Sequence, residues 1–181
     1  MEAADIIYFP DESLSLDSHL EAGWKLLDTM RHTAGSFALA SDLPVTDEKH
    51  RGFFAEAGRA GAEIVSLRPP AQLTVGEPLP AFEPPDGDFE KFARRFSPRE
   101  PNEAKLRRAY ETALLADEFA AARISAHFRE HRGEKILVFL HRDHIARDHG
   151  VPYFVAQKTK ARQLILNPQT RGPGPGLLTL N

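Results

Sequence analysis

The sequence predicts an α/β fold, a mostly parallel, mixed sheet flanked by helices. Two patterns carry that expectation. Short apolar runs alternate with amphipathic segments as strand–helix–strand–helix–strand over the first 70 residues, and such a series builds parallel sheets through crossover connections. A long helical pattern then follows, with one unbroken stripe aimed at a sheet. At 181 residues and 41% hydrophobic composition, one domain spanning the whole chain with a real core is expected.

The elements follow in order. "DIIYF" (Asp5–Phe9) reads as a buried strand, with Pro10 expected to end it. Ser18 and Glu21 form a capping-box pair for a helix to about His32, with Trp24, Leu27 and Met30 one turn apart and Gly35 as its stop. "SFALA" (Ser36–Ala40) is a second strand. Thr46 or Asp47 caps the helix "DEKHRGFFAEAGRA", closed by Gly61, and "EIVSL" (Glu63–Leu67) is a third strand. From Pro69 to Pro101 the chain holds eight of its fourteen prolines. A segment this long without periodic pattern suggests a functional excursion. A short helix, "DFEKFARRF", interrupts it, and Phe82, Phe89, Phe92 and Phe96 make it too aromatic for a free linker, which suggests a flap or an interface.

Asn102 can cap the longest helix, from about Glu103 to His131. Tyr110, Leu114, Asp117, Ala121, Ile124 and Phe128 follow 4,3,4,3,4 spacing and share one stripe. "KILVFL" is a fourth strand, and "YFVAQ" with "QLILN" suggests one or two more. The stretch from about residue 168, with "GPGPG", reads as a flexible exposed tail; its prolines lack the amide donors of a phosphate loop.

The totals exclude several classes. There is no cysteine, which removes disulfides, thiolate metal sites and cysteine nucleophiles. No apolar run approaches the ~20 residues of a membrane span. The start, "MEAADIIYFP", lacks the basic residues and long apolar stretch of a signal peptide, so the expectation is a cytoplasmic chain, or an envelope protein if a leader has been removed. Net charge is −3, but residues 1–90 carry −11 and residues 91–181 carry +8. The basic half could attract a small anionic ligand, or the halves could simply compensate each other. Nucleic acid is not expected, because aromatic stacking residues do not interleave with the basic ones. Nucleophile-elbow, zincin, dinucleotide and P-loop motifs are missing.

The chemistry candidates cluster late in the chain. "LVFLHRDHIARDHGVPYFV" places His141, His144 and His149, three of eight histidines, just past the fourth strand. In parallel sheets ligands bind at that end of the strands. A solvated polar loop, a metal site on His141 and His144, and a binding role for at least one histidine all remain open. Asp117 sits on a stripe expected to be buried and therefore needs a partner or a site; an arginine pair and a pocket shared with the histidine loop are the alternatives. Glu118 lies beside it, rotated about 100° around the helix. Tyr110 and Tyr153 are near these features, and a phenolate can ligate ferric haem, though plain packing is the ordinary fate of a tyrosine.

These segments together resemble the ChaN-like haem-binding family of the Tiki/EreA superfamily. "AYETALLADEFAAARISAHF" is similar to the family's long helix with its aspartate–glutamate pair, here Asp117 and Glu118. "EKILVFLHRDHIARDHGVPYFV" is similar to the strand, glycine-x-x-histidine turn and Gly-hydrophobic-Pro that follow; His144 takes the family histidine's place, and His141 the turn glycine's. At the N-terminal end "ADIIYFPDESLSLDSHLEAGWKLLDTM" resembles the first strand, turn and helix, but Pro10, Asp11 and Ser13 replace the family's glycine, glutamate and first histidine, leaving His19. In "FALASDLP", Ser41 or Asp42 falls where the family has a glutamate. "HRGFFAEAGRAGAEIVSLRPPAQL" is similar to the next helix and strand, without the long insertion between them.

The resemblance implies a bacterial haem-binding protein of iron uptake, dimeric with haem at the interface. Loss of the first-turn acid and histidine implies binding rather than catalysis. Haem would be ligated by Tyr153, Tyr110 or His144, walled by the Phe-rich excursion, with Lys158, Lys160 or Arg147 for its propionates; His141, Asp117, Glu118 and His19 complete the candidate cleft. Two other implications stand beside it: a metal-dependent hydrolase rearranged around His141, His144, Asp117 and Glu118, and a degenerate member kept as a protein-interaction domain.

Overall fold

The computed structural model describes residues 4–11, 17–33, 35–43, 48–70, 87–96, 101–145, 149–167 and 176–180. The elements are β1 (Ile6–Asp11), α1 (Asp17–Thr33), β2 (Phe37–Ser41), α2 (Glu48–Arg59), β3 (Glu63–Ser66), α3 (Asp88–Phe96), α4 (Glu103–Glu130), β4 (Lys135–His141), α5 (Arg142–Ile145), α6 (Val151–Lys158), β5 (Gln163–Asn167) and β6 (Gly176–Leu180). The six strands form one sheet in the order β3-β2-β4-β1-β5-β6. Every neighbouring pair is parallel except β5 with β6. The expected α/β class with a mostly parallel, mixed sheet is what forms.

Alternation along each strand makes two cores. Ile6, Tyr8, Ala38, Ala40, Ile136, Val138 and Leu140 face α4 and α6. Ile7, Phe9, Phe37, Leu39, Leu137 and Phe139 face α1 and α2. The central strands bury both sides, which is why they read as continuous apolar runs. Small Ala38 and Ala40 are buried under the α4 layer. On the other side Phe139 packs in tilted contact with Phe9 and Phe53, each with ring centroids 4.9 Å apart.

The long stripe is buried as its spacing predicts: Tyr110, Leu114, Asp117, Ala121 and Ile124 lie inside, and Phe128 is half-buried. Asn102 caps this helix, accepting from the Lys105 amide at 3.1 Å. α1 starts at Asp17, so Ser18 lies inside the helix; Thr46 and Asp47 lie outside the described residues. "DFEKFARRF" is a helix over the predicted residues.

Three expectations need correction. Pro10 does not end β1, which continues to Asp11 with Pro10 opposite Leu140. The pairing of β1 with β5 stops at Tyr8, so Pro10 stands where β1 has a neighbour on one side only, a position proline tolerates. "YFVAQ" is helical, not extended: Gly150 caps α6 and Pro152 occupies its first turn. Proline there is pre-set for a helix, and Val151, Phe154 and Val155 bury on helical spacing. Finally, Gly176–Leu180, within the stretch read as a tail, pairs with β5 as an antiparallel edge strand.

Candidate functional site

Strand register brings the ends of β1, β2 and β4 side by side: Ser41 pairs with Phe139 and Asp11 with His141. α5, a single turn, follows β4 at once and carries His144 inward. Its Nδ1–H donates a short bond to Asp117 Oδ1. Asp117 has no exposed surface, whereas about a quarter of the His144 side chain reaches solvent. With the carboxylate accepting at Nδ1, the neutral form of the ring carries its lone pair on Nε2, the way a carboxylate behind a histidine prepares it for a metal. A histidine of the loop is thus a partner of Asp117.

Asp42, just past β2, adds a second carboxyl. Burial pushes its pKa above the ordinary aspartate range, while charge on nearby His144 and His141 opposes that shift and Asp117 reinforces it. Its Oδ1 is buried without a hydrogen-bond partner among the described residues. Ser41, also buried, turns its Oγ back to accept from the Leu43 amide at 3.1 Å. Asp42, Asp117, His144 and His141 therefore share one electrostatic neighbourhood at the carboxyl edge of the sheet.

The three loop histidines diverge. His144 goes to Asp117. His149 Nδ1 lies 3.0 Å from Asp88 Oδ1. His141 remains exposed and its Nδ1 lies 3.6 Å from Asp143 Oδ2. They do not converge on one metal-binding point; the group of three metal-capable side chains found among the described residues is elsewhere.

Tyr110 is buried and donates to Asp88 Oδ2 at 2.6 Å. Phe89 and Phe92 pack on the Tyr110 ring at 5.6 and 5.3 Å, Arg107 lies over Phe89, and Arg95 pairs with Asp143. The described part of the Phe-rich excursion, α3, is thus docked beside the histidine loop; Phe82 lies outside the described residues. The Tyr153 ring meets His149 edge-on at 4.7 Å. Glu118 accepts from Lys158 at 3.4 Å, tying α4 to α6. Lys160 is exposed, Arg147 lies outside the described residues, and so does the His19 side chain.

The candidates thus divide. His144, Asp117 and His141 gather with Asp42; Tyr110 and His149 meet at Asp88, with Tyr153 on the His149 ring; Glu118 and Lys158 pair with each other. Asp88 escaped the sequence reading because an acid opening a short helix is the commonest of helix starts. Asp42 was visible only as one of two residues at the family glutamate's position.

No protein-family model and no curated protein matches the chain. In structure it is similar to ChaN of Campylobacter jejuni, solved with haem bound cofacially. That similarity has a TM-score of 0.72, covers 92% of this chain and 82% of that one, and carries 13% sequence identity. The shared property is the fold.

A haem needs an axial donor, apolar walls and cations for its propionates. His144, held at Nδ1 with Nε2 as the basic nitrogen, fits the first requirement. Tyr110 does not, because its hydroxyl is inside and bonded to Asp88. Phe89 and Phe92 are turned onto Tyr110 rather than presented as a bare wall.

Proposed function

We propose that the protein is a haem-binding protein whose cleft lies at the carboxyl edge of the sheet, with His144 Nε2 as the iron ligand and Asp117 as the residue that positions it. The observation that carries this reading is the His144–Asp117 pair at the end of β4, on a fold like that of a protein solved with haem. When bound, the group would supply a Lewis-acidic iron and a planar anionic surface. Asp117 keeps the imidazole in one tautomer and orientation. Tyr153, next to His149, is the second candidate ligand, and Lys160 the propionate contact. Two chains sharing haem across an interface belong to the same reading.

Haem titration of the purified chain, followed through the Soret band, tests it. His144→Gln is the informative variant, because the amide can still donate to buried Asp117 while offering iron no imidazole. Saturation at one haem per chain is expected, weakened by about tenfold or more in His144→Gln, which loses a ligand, and unchanged in Tyr153→Phe. A Soret shift lost only in Tyr153→Phe would move the ligand to that phenolate, and no saturable shift would end the haem reading. Light scattering with and without haem reports the dimer.

One observation favours a second reading. The buried Asp42 carboxyl, with Oδ1 lacking a partner among the described residues, beside a His–Asp pair is also the material of a metal-dependent hydrolase. Glu118, engaged by Lys158, would have no part in it.

A further inference from the structure

The opposite edge of the sheet carries a cluster that the cleft does not use. Glu63 opens β3, His127 lies in the last turn of α4, His131 follows that helix, and Glu134 immediately precedes β4. One ligand atom from each of Glu63, His127 and His131 lies within 4.8 Å of the others. His127 Nε2 is 2.6 Å from Glu134 Oε2, and His127 Nδ1 faces Glu63 Oε1 at 3.8 Å. The His127 and His131 rings stack almost parallel, 4.2 Å apart. β4 separates this cluster from His144 by seven residues, or about 23 Å of strand.

Local structure explains the convergence. His127 and His131 are four apart, one helical turn, and the His131 amide still bonds to the His127 carbonyl at 2.9 Å. Gly133 turns the chain with φ 89°, which sends Glu134 back beneath His127. His127 is 6% exposed and Glu134 13%, while His131 and Glu63 are 43% and 55% exposed. One buried imidazole therefore faces solvent through two accessible donors.

We infer that Glu63, His127 and His131 form a binding site for a divalent transition cation of the zinc type, with Glu134 as the residue that positions His127. Glu134 accepts the Nε2–H of His127, so the lone pair is on Nδ1, the nitrogen turned toward Glu63. A carboxylate behind a histidine is the usual outer support of a zinc ligand. Two imidazoles and a carboxylate make a borderline-soft donor set suited to zinc rather than to calcium or magnesium. Glu134 Oε2 also lies 3.9 Å from His131 Nδ1, so the same carboxylate faces both stacked rings. The cation would join β3 to the end of α4 and the turn into β4.

The test is calorimetric titration of the full chain, stripped with chelator, with zinc alone, beside His131→Ala, Glu63→Gln and Glu134→Gln. His131 and Glu63 are exposed enough to be replaced without unfolding, and circular dichroism checks that. Saturation at one zinc per chain is expected, lost in His131→Ala and Glu63→Gln. Glu134→Gln should bind about 10- to 100-fold more weakly, with Glu134→Asp recovering part of the difference. No saturable binding by the unmodified chain would overturn the site and leave the cluster an ion-pair knot. Equal binding by the His131→Ala and Glu63→Gln variants would overturn it too, by placing the metal elsewhere.

Discussion

Asp42 and Asp117 are carboxyls of one neighbourhood handled in two ways. Asp117 is fully buried and bonded to His144; leaving a buried carboxylate without its hydrogen-bond partner costs several kcal/mol, which is why glutamine, not alanine, is the informative replacement at His144. Asp42 is held protonated to higher pH by burial. Between the ordinary aspartate value of 3.8 and that raised value, the folded chain binds more protons than the unfolded one, so stability falls as pH rises through the window. Asp42→Asn is expected to remove this slope. Urea denaturation from pH 4 to pH 8 checks it: the variant should gain on the parent with rising pH, and parallel profiles would exclude Asp42 as the source. Legibility at this scale was partial. Asp117 stood out as a charge on an apolar stripe. Asp42, Asp88 and Glu63 did not, because each is brought to its histidine neighbours by tertiary contact between segments that the sequence keeps apart.

At the scale of elements, the long helix and the central strands were readable because burial on one stripe or on both faces writes a strong pattern. α6 was misread since "YFVAQ" is rich in β-formers and short; its Gly-Val-Pro start and tertiary packing outweigh propensity. Fine packing is harder still to read. Gly23 lies in α1, where an added Cβ would meet Phe139 at 3.4 Å and Phe53 at 3.5 Å, ordinary contact distances. Alanine fits there and anything larger does not. Gly23→Ala is expected to stabilise the protein by up to about 1 kcal/mol through helix propensity, read as a raised denaturation midpoint, while Gly23→Val should lower it. A loss on alanine substitution would mean that α1 sits closer to β4 than these distances say.

Across the whole molecule, the two sheet edges are handled differently. β3 is short and shows solvent three of its four side chains, and β6 covers β5. Just before β5, Arg162 binds Asp5 through its backbone amide and two guanidinium nitrogens and holds that carboxyl below the usual aspartate range. Ending the chain after Asn167 would leave the β5 ladder open, and open ladders recruit other chains. The shortened protein is expected to associate more strongly than the full one with rising concentration, measured by sedimentation velocity; identical behaviour would mean that β5 is protected by other means. Among the described residues no helix is long and apolar enough to cross a membrane.

The strand order has a kinetic consequence. β4 lies between β1 and β2, yet it is synthesised some hundred residues after either. Until it arrives, the two earliest strands have a gap between them one strand wide and no partner in common. Pairing of Ile6 with Ile136 closes a loop of more than two thirds of the chain, a contact of high order whose entropy must be met before any central ladder forms. β4 is therefore the keystone of the nascent protein. A ribosome-bound fragment ending before Lys135 cannot hold a native centre, and during that interval its exposed apolar strands depend on dilution or a chaperone to stay apart.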